Sequence, residues 1–192
     1  MTSLVMRSIS RQGLPKRFVL FLLLAMLVTI YGSFVITTYR AQRLGDRADL
    51  SSLMRAASLA PQNATYHDLL CRNMIYASQD PTQAVKECVE ASRLNSYSSS
   101  IWLDLAQAYY SAGNIAPIDA AVHKALSVDP TTPDTAWSAA NFYLIQGNTA
   151  EALRLFAIVL REDTSLAPAA LSVCWHSFHD GIGEVNGRHR AY

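Results

Sequence analysis

The distribution of apolar residues changes its period once along the chain. From Phe18 to Tyr39 the run FVLFLLLAMLVTIYGSFVITTY holds 22 residues without a charge. As a helix rising about 1.5 Å per residue it spans roughly 33 Å, enough to cross a hydrocarbon core about 30 Å thick. A helix buried in a water-soluble core is rarely apolar on every face for that length. Tyr31 and Tyr39 stand toward one end, as amphipathic rings at a membrane interface do. Beyond Asp49 the pattern turns amphipathic, with apolar residues recurring three and four apart in helical segments joined by short polar turns. No segment shows the β-branched alternation of a strand, so the expected fold is all-α.

The clearest amphipathic unit runs from Ser99 to Thr132. Trp102, Leu105, Ala106 and Tyr109 fall on one helical face. Gly113-Asn114 follows, and both residues tolerate the left-handed conformation that ends a helix. A second helix turns Val122, Ala125, Leu126 and Val128 inward, and Asp129-Pro130 stops it because proline disfavours helical geometry in the residue before it. Trp, Leu, a small residue, Tyr, a turn Gly, Ala and Pro at these places resemble the tetratricopeptide repeat, a 34-residue helical hairpin. Ile118 and Val122 depart from its small and aromatic positions but remain apolar. The same register continues over residues 133–166, where Ala139, Ala140, Tyr143, Gly147, Ala152, Phe156 and Val159 take the corresponding places and Ala136 replaces the Trp. A weaker copy occupies 65–98, with Cys71, Ile75, Ala84, Cys88 and Ala91 in the slots but Arg72 where a small residue is expected.

This resemblance implies a right-handed α-solenoid over residues 45–178, preceded by a basic tail (1–17) and a transmembrane helix (18–39). Residues 49–61 read as the second helix of a degenerate half-repeat, and 167–178 as the first helix of a partial fourth repeat. An irregular tail, 179–192, follows. Hairpins of this kind bury their apolar faces only by stacking on one another.

Two readings of the apolar run compete. A cleaved signal peptide has an apolar stretch of about 7–15 residues and a small-x-small cleavage site. This run is longer and no such site precedes Arg40, so a retained single-pass anchor in the plasma membrane is expected. Arg7, Arg11, Lys16 and Arg17 precede the run, whereas Arg40, Arg43 and Arg47 follow it. The bias favours a cytoplasmic N-terminus and extracytoplasmic, periplasm-facing repeats.

Charge and chemistry narrow the function. The net charge is +1 with no basic stripe, which argues against nucleic acid as a partner. Three cysteines without C-x-x-C spacing do not make a structural zinc site. Cys174 and His176 point about 200° apart on a helix, so with His179 they do not converge on a metal. Without a glycine-bearing elbow, an oxyanion-hole loop or an orienting acid, they do not read as a nucleophile and base. No cofactor and no enzymatic activity are expected. Cys71 and Cys88 face each other across one hairpin, either as two small buried side chains or as a disulfide in an oxidising compartment. Asn63-Ala64-Thr65 has the form of a glycosylation sequon and is read as chance.

By register, the concave face of such a solenoid comprises Tyr66, Leu69, Asn73 and Tyr76, then Leu103, Asp104, Gln107 and Tyr110, then Trp137, Ser138, Asn141 and Leu144. Within it, Tyr66, Asn73, Tyr76, Leu103, Gln107, Tyr110, Trp137 and Asn141 are the candidate groove for a protein or peptide partner. Amides bond extended backbone, and aromatics offer rigid apolar area. The resemblance thus implies a membrane-anchored scaffold for protein–protein interaction. An accessory subunit of a cell-envelope machine for polysaccharide synthesis or export, secretion or pilus assembly is the alternative.

Overall fold

A computed structural model describes residues 16–47, 49–78, 80–162 and 165–176. Most of the basic tail (1–15), Phe178, His179 and the C-terminal tail lie outside these residues. The chain is an all-α, TPR-like solenoid preceded by one apolar helix, with no strand among the described residues. Its helices are α1 (Lys16–Gly45), α2 (Leu50–Leu59), α3 (Ala64–Asn73), α4 (Pro81–Leu94), α5 (Ser99–Ser111), α6 (Ile118–Val128), α7 (Pro133–Ile145), α8 (Thr149–Glu162) and α9 (167–176).

Local chemistry sets the helix ends. Asp49 and Asp80 each accept a backbone N–H in the first turn that follows, from Ser52 at 2.9 Å and Gln83 at 3.1 Å. Such caps satisfy donors that a helix start leaves orphaned. Pro81 and Pro133 occupy first turns, where a missing N–H costs nothing. Helices α5 and α7 end on left-handed glycines, Gly113 at φ 70° and Gly147 at φ 76°. Asn114 and Asn148 then donate back to the carbonyls of Tyr109 and Tyr143, closing the same C-terminal motif twice. Repeat 65–98 has no glycine at the equivalent position. There α3 widens into a π turn, Met74–Ser78, and the Asp80 N–H reaches the Met74 carbonyl at 3.0 Å.

Packing follows the 34-residue period. Ala106, Ala140, Ala125, Val122, Ala152, Phe156 and Val159 are fully enclosed. Small residues let paired helices approach closely, and the larger ones fill the space to the next hairpin. Between repeats, the Asp129 carboxylate accepts from the hydroxyls of Thr135 at 3.0 Å and Ser99 at 3.4 Å, and from the Thr132 N–H at 3.3 Å.

Two features depart from a separate anchor followed by a half-repeat. The first helix continues past Tyr39 to Gly45, and its last turn is part of the solenoid: Ala41 is wholly buried and Leu44 packs on the core. Gly45 stands 68 residues before Gly113 and 102 before Gly147, in phase with the turn glycines. The end of α1 therefore supplies the first helix that the half-repeat lacks, and α2 is its partner. Gly45 is needed for close approach, since a Cβ there would lie 2.7 Å from Cε1 of Tyr66. The preceding stretch behaves differently. Its best window has a mean hydropathy of 2.6 and no residue buried against the rest of the chain.

Candidate partner-binding groove

The first helices of successive hairpins meet along one side of the solenoid and leave a cleft of ≈ 240 Å³. Tyr76 closes it from the π turn, Leu103, Asp104 and Gln107 line it from α5, and Trp137, Ser138 and Asn141 from α7. These seven are concave-face positions of the repeat register. Phe142 and Ile145, one turn further along α7, complete the wall. Their place in the cleft is not visible in the sequence, where both read as ordinary apolar residues near a helix end.

Three candidate groove residues lie elsewhere. Tyr66 is buried under Gly45 rather than open to the cleft, because the last turn of α1 covers the first hairpin. Tyr110 is exposed but outside the lining. Asn73 is half-buried and also outside it. The groove that forms thus comprises Tyr76, Leu103, Gln107, Trp137 and Asn141 from the candidate set.

The cleft wall is rigid at its centre. Trp137 meets the fully buried Phe156 edge-on, with ring centroids 5.4 Å apart and planes at 70°. That arrangement is favourable for aromatic quadrupoles and fixes the indole. The amides are only partly used: Asn141 donates to the Trp137 carbonyl at 2.9 Å and Gln107 to the Ser111 hydroxyl at 3.4 Å. Among the described residues their amide oxygens accept no hydrogen bond. The volume lies below the ~300–1,000 Å³ common for buried small molecules and suits one or two side chains of a longer segment.

Behind this wall Asp104 faces Asp68 of α3. Burial, then the neighbouring Asp68 charge, raise the Asp104 carboxyl to about 7, with Arg72 opposing the shift. Asp68 is raised too, chiefly by burial, and one of its oxygens is enclosed without a hydrogen-bond partner. Two carboxylates so placed do not both ionise readily, so the pair holds a proton toward neutral pH. Among the described residues no group of three or more His, Cys, Asp and Glu is placed to hold a metal ion.

The first full hairpin carries a covalent link. Of the two readings open for Cys71 and Cys88, the structure adopts the disulfide, across Cα atoms 5.3 Å apart. His67 supports the same hairpin, its ring bonding Glu87 at 2.8 Å and the Pro61 carbonyl at 3.1 Å.

No protein-family model matches the chain, and no curated protein matches it. Solved structures do. The fold is similar to that of TTC0263, a thermophilic TPR protein in Thermus thermophilus, at 21% identity and a TM-score of 0.56, covering 64% of this chain and 70% of that one. It is also similar to two crystal structures of MamA. One has 22% identity and a TM-score of 0.51 over 62% of this chain and 69% of the other. The second has 19% identity and a TM-score of 0.54 over 74% and 79%. At these identities the likeness concerns the fold, a TPR-like stack of helical hairpins.

Proposed function

We propose that the chain is a membrane-tethered scaffold whose concave groove holds an extended segment of a protein partner on the extracytoplasmic side. The observation that carries this reading is the cleft itself. Side chains from three successive first helices converge there, with a locked Trp137 and amide acceptors at Gln107 and Asn141. The tether is α1, whose most apolar stretch has no residue buried against the other described residues. The Cys71–Cys88 disulfide supports the outward placement of the repeats, because such bonds persist in oxidising compartments.

Crosslinking in native membranes tests the groove. Tyr76→Ala with Trp137→Ala is expected to weaken partner capture about 30-fold, as loss of an aromatic hot spot does. Lys124→Ala with Arg154→Ala, on exposed sites of second helices, should leave capture unchanged. Loss of the partner in the second pair but not the first sinks the groove assignment, provided helical circular dichroism is intact in both. Reporter fusions after Gly45 and after Ala167 test the side. Activity in the cytoplasm at both points reverses the orientation.

A further inference from the structure

The hairpin of α1 and α2 encloses a second cleft, of ≈ 540 Å³, separate from the groove. Tyr39, Arg40, Arg43 and Leu44 line it from α1, and Arg55, Ser58 and Leu59 from α2. Three arginines therefore line one concavity whose other walls are mainly apolar. Arg40 and Arg43, three apart, share a face of α1, and the return of α2 brings Arg55 to the same cleft. The Arg43 guanidinium lies 5.9 Å from the Tyr39 ring centre, an attraction that favours its place at the wall.

These arginines differ from three others on the surface. Arg93, Arg154 and Arg161 each pair with a glutamate. Arg40, Arg43 and Arg55 make no ion pair among the described residues. Of the two acids between α1 and α2, Asp49 is engaged at the start of α2 by the Ser51 hydroxyl and the Ser52 N–H. Asp46 lies close to Tyr66, whose hydroxyl is pushed up by burial and then by that charge.

Position decides what anion such a cleft meets. Arg40 is the first charge after the 22 uncharged residues. The headgroup zone extends about 5–8 Å beyond each face of the hydrocarbon. At about 1.5 Å per residue, Arg40 and Arg43 fall within it when residues 18–39 fill the core. The chain after α2 returns alongside the end of the uncharged run. Residues 59–65 line a neighbouring cleft together with Phe34, Thr37 and Thr38 of the uncharged run.

We infer that the arginine cleft binds the headgroup phosphate of an anionic phospholipid in the leaflet facing the repeats. The planar forks of Arg40, Arg43 and Arg55 match the phosphate oxygens. Tyr39, Leu44 and Leu59 supply apolar surface for the glycerol and the first acyl carbons. The inference rests on α1 spanning the bilayer.

The full chain reconstituted in vesicles of phosphatidylcholine and phosphatidylglycerol tests it. The vesicles are washed with alkaline carbonate and the protein is extracted in mild detergent. Mass spectrometry then counts the lipids that stay bound. Wild type is expected to retain phosphatidylglycerol roughly tenfold above its share of the vesicle, and Arg40→Gln with Arg43→Gln and Arg55→Gln to fall to that share. Arg93→Gln with Arg154→Gln and Arg161→Gln should keep the enrichment. The charge-conserving triple change to Lys should lose most of it, since an ammonium offers no fork. Full retention in the Lys variant would mean diffuse surface attraction and overturn the site. Displacement of the lipid by millimolar inorganic phosphate, and not by sulfate of equal ionic strength, would make it a soluble-anion site and also overturn it. Protein that stays in the membrane without enrichment refutes the lipid site alone, whereas release by carbonate refutes the anchor and the site together.

Discussion

The hairpin of α3 and α4 and the hairpin of α7 and α8 hold equivalent places in the stack and are held together by different means. In the later one, Ala140 and Ala152 are wholly buried, Phe156 fills the space beside them, and α7 closes on Gly147. In the earlier one, the slot equivalent to Ala140 is the exposed Arg72, and no glycine ends the helix. A disulfide, the His67–Glu87 pair and a π turn stand in their place. The two hairpins cross alike, one by close approach of small side chains and the other by cross-links between its helices. What the stack demands of each repeat is the crossing, not a particular set of residues.

The largest expected effect falls on the close-packed hairpin. Phe156→Ala should cost about 3–5 kcal/mol in denaturant unfolding of the full chain in detergent, through the cavity it leaves. The same loss should appear with or without reductant. Next comes the cross-linked hairpin. Cys71→Ala with Cys88→Ala should cost about 3 kcal/mol, the contribution of closing a loop of this size. Amide hydrogen exchange should then accelerate in α3 and α4 and change little in α7 and α8. Uniform acceleration through all hairpins would erase the distinction drawn between them.

Enlarging the small slots is a gentler test. Ala106→Leu or Ala140→Leu should cost about 1–3 kcal/mol by overpacking an enclosed crossing. Arg72→Leu should stay within about 0.5 kcal/mol, as an exposed substitution does. Equal damage at all three positions would show that the first hairpin is packed like the others. A separate test concerns pH. The folded-state Asp104 carboxyl is raised above its ordinary 3.8 to about 7, so the folded chain binds more protons than the unfolded one between those values. Stability should therefore decline as pH rises through that window and level off above it. Asp104→Asn should remove most of this slope in thermal melts at pH 5 and pH 8.

Much of this architecture is legible in the residues. Ala106, Ala140, Gly113 and Gly147 announce the period because each answers a steric demand that few other side chains meet. The pairing of α1 with α2 is not legible. Arg40 marks where the uncharged run ends, but the single turn from Ala41 to Leu44 is too short for its period to be read as a repeat helix. The groove shows the same limit. Tyr76, Leu103, Gln107, Trp137 and Asn141 can be placed by counting, but the burial of Tyr66 depends on the last turn of α1, which counting leaves outside any helix. Asp104 is a concave-face position by register. Its partner Asp68 is evident only in three dimensions, because α3 and α5 belong to different hairpins.

The junction at Gly45 has a mechanical consequence. The last turn of α1 packs on the core of the repeats, and a Cβ at Gly45 would meet Tyr66. With α1 in a bilayer, the helix acts as a lever fixed to the solenoid at its fulcrum. Its tilt responds to bilayer thickness through hydrophobic mismatch. A thinner membrane that tilts α1 further would swing the groove toward the leaflet, and a thicker one would raise it. With α1 so placed, the cleft's stand-off above the membrane would depend on the lipid as much as on the protein. Gly45→Leu, which would force Tyr66 away, should uncouple the two.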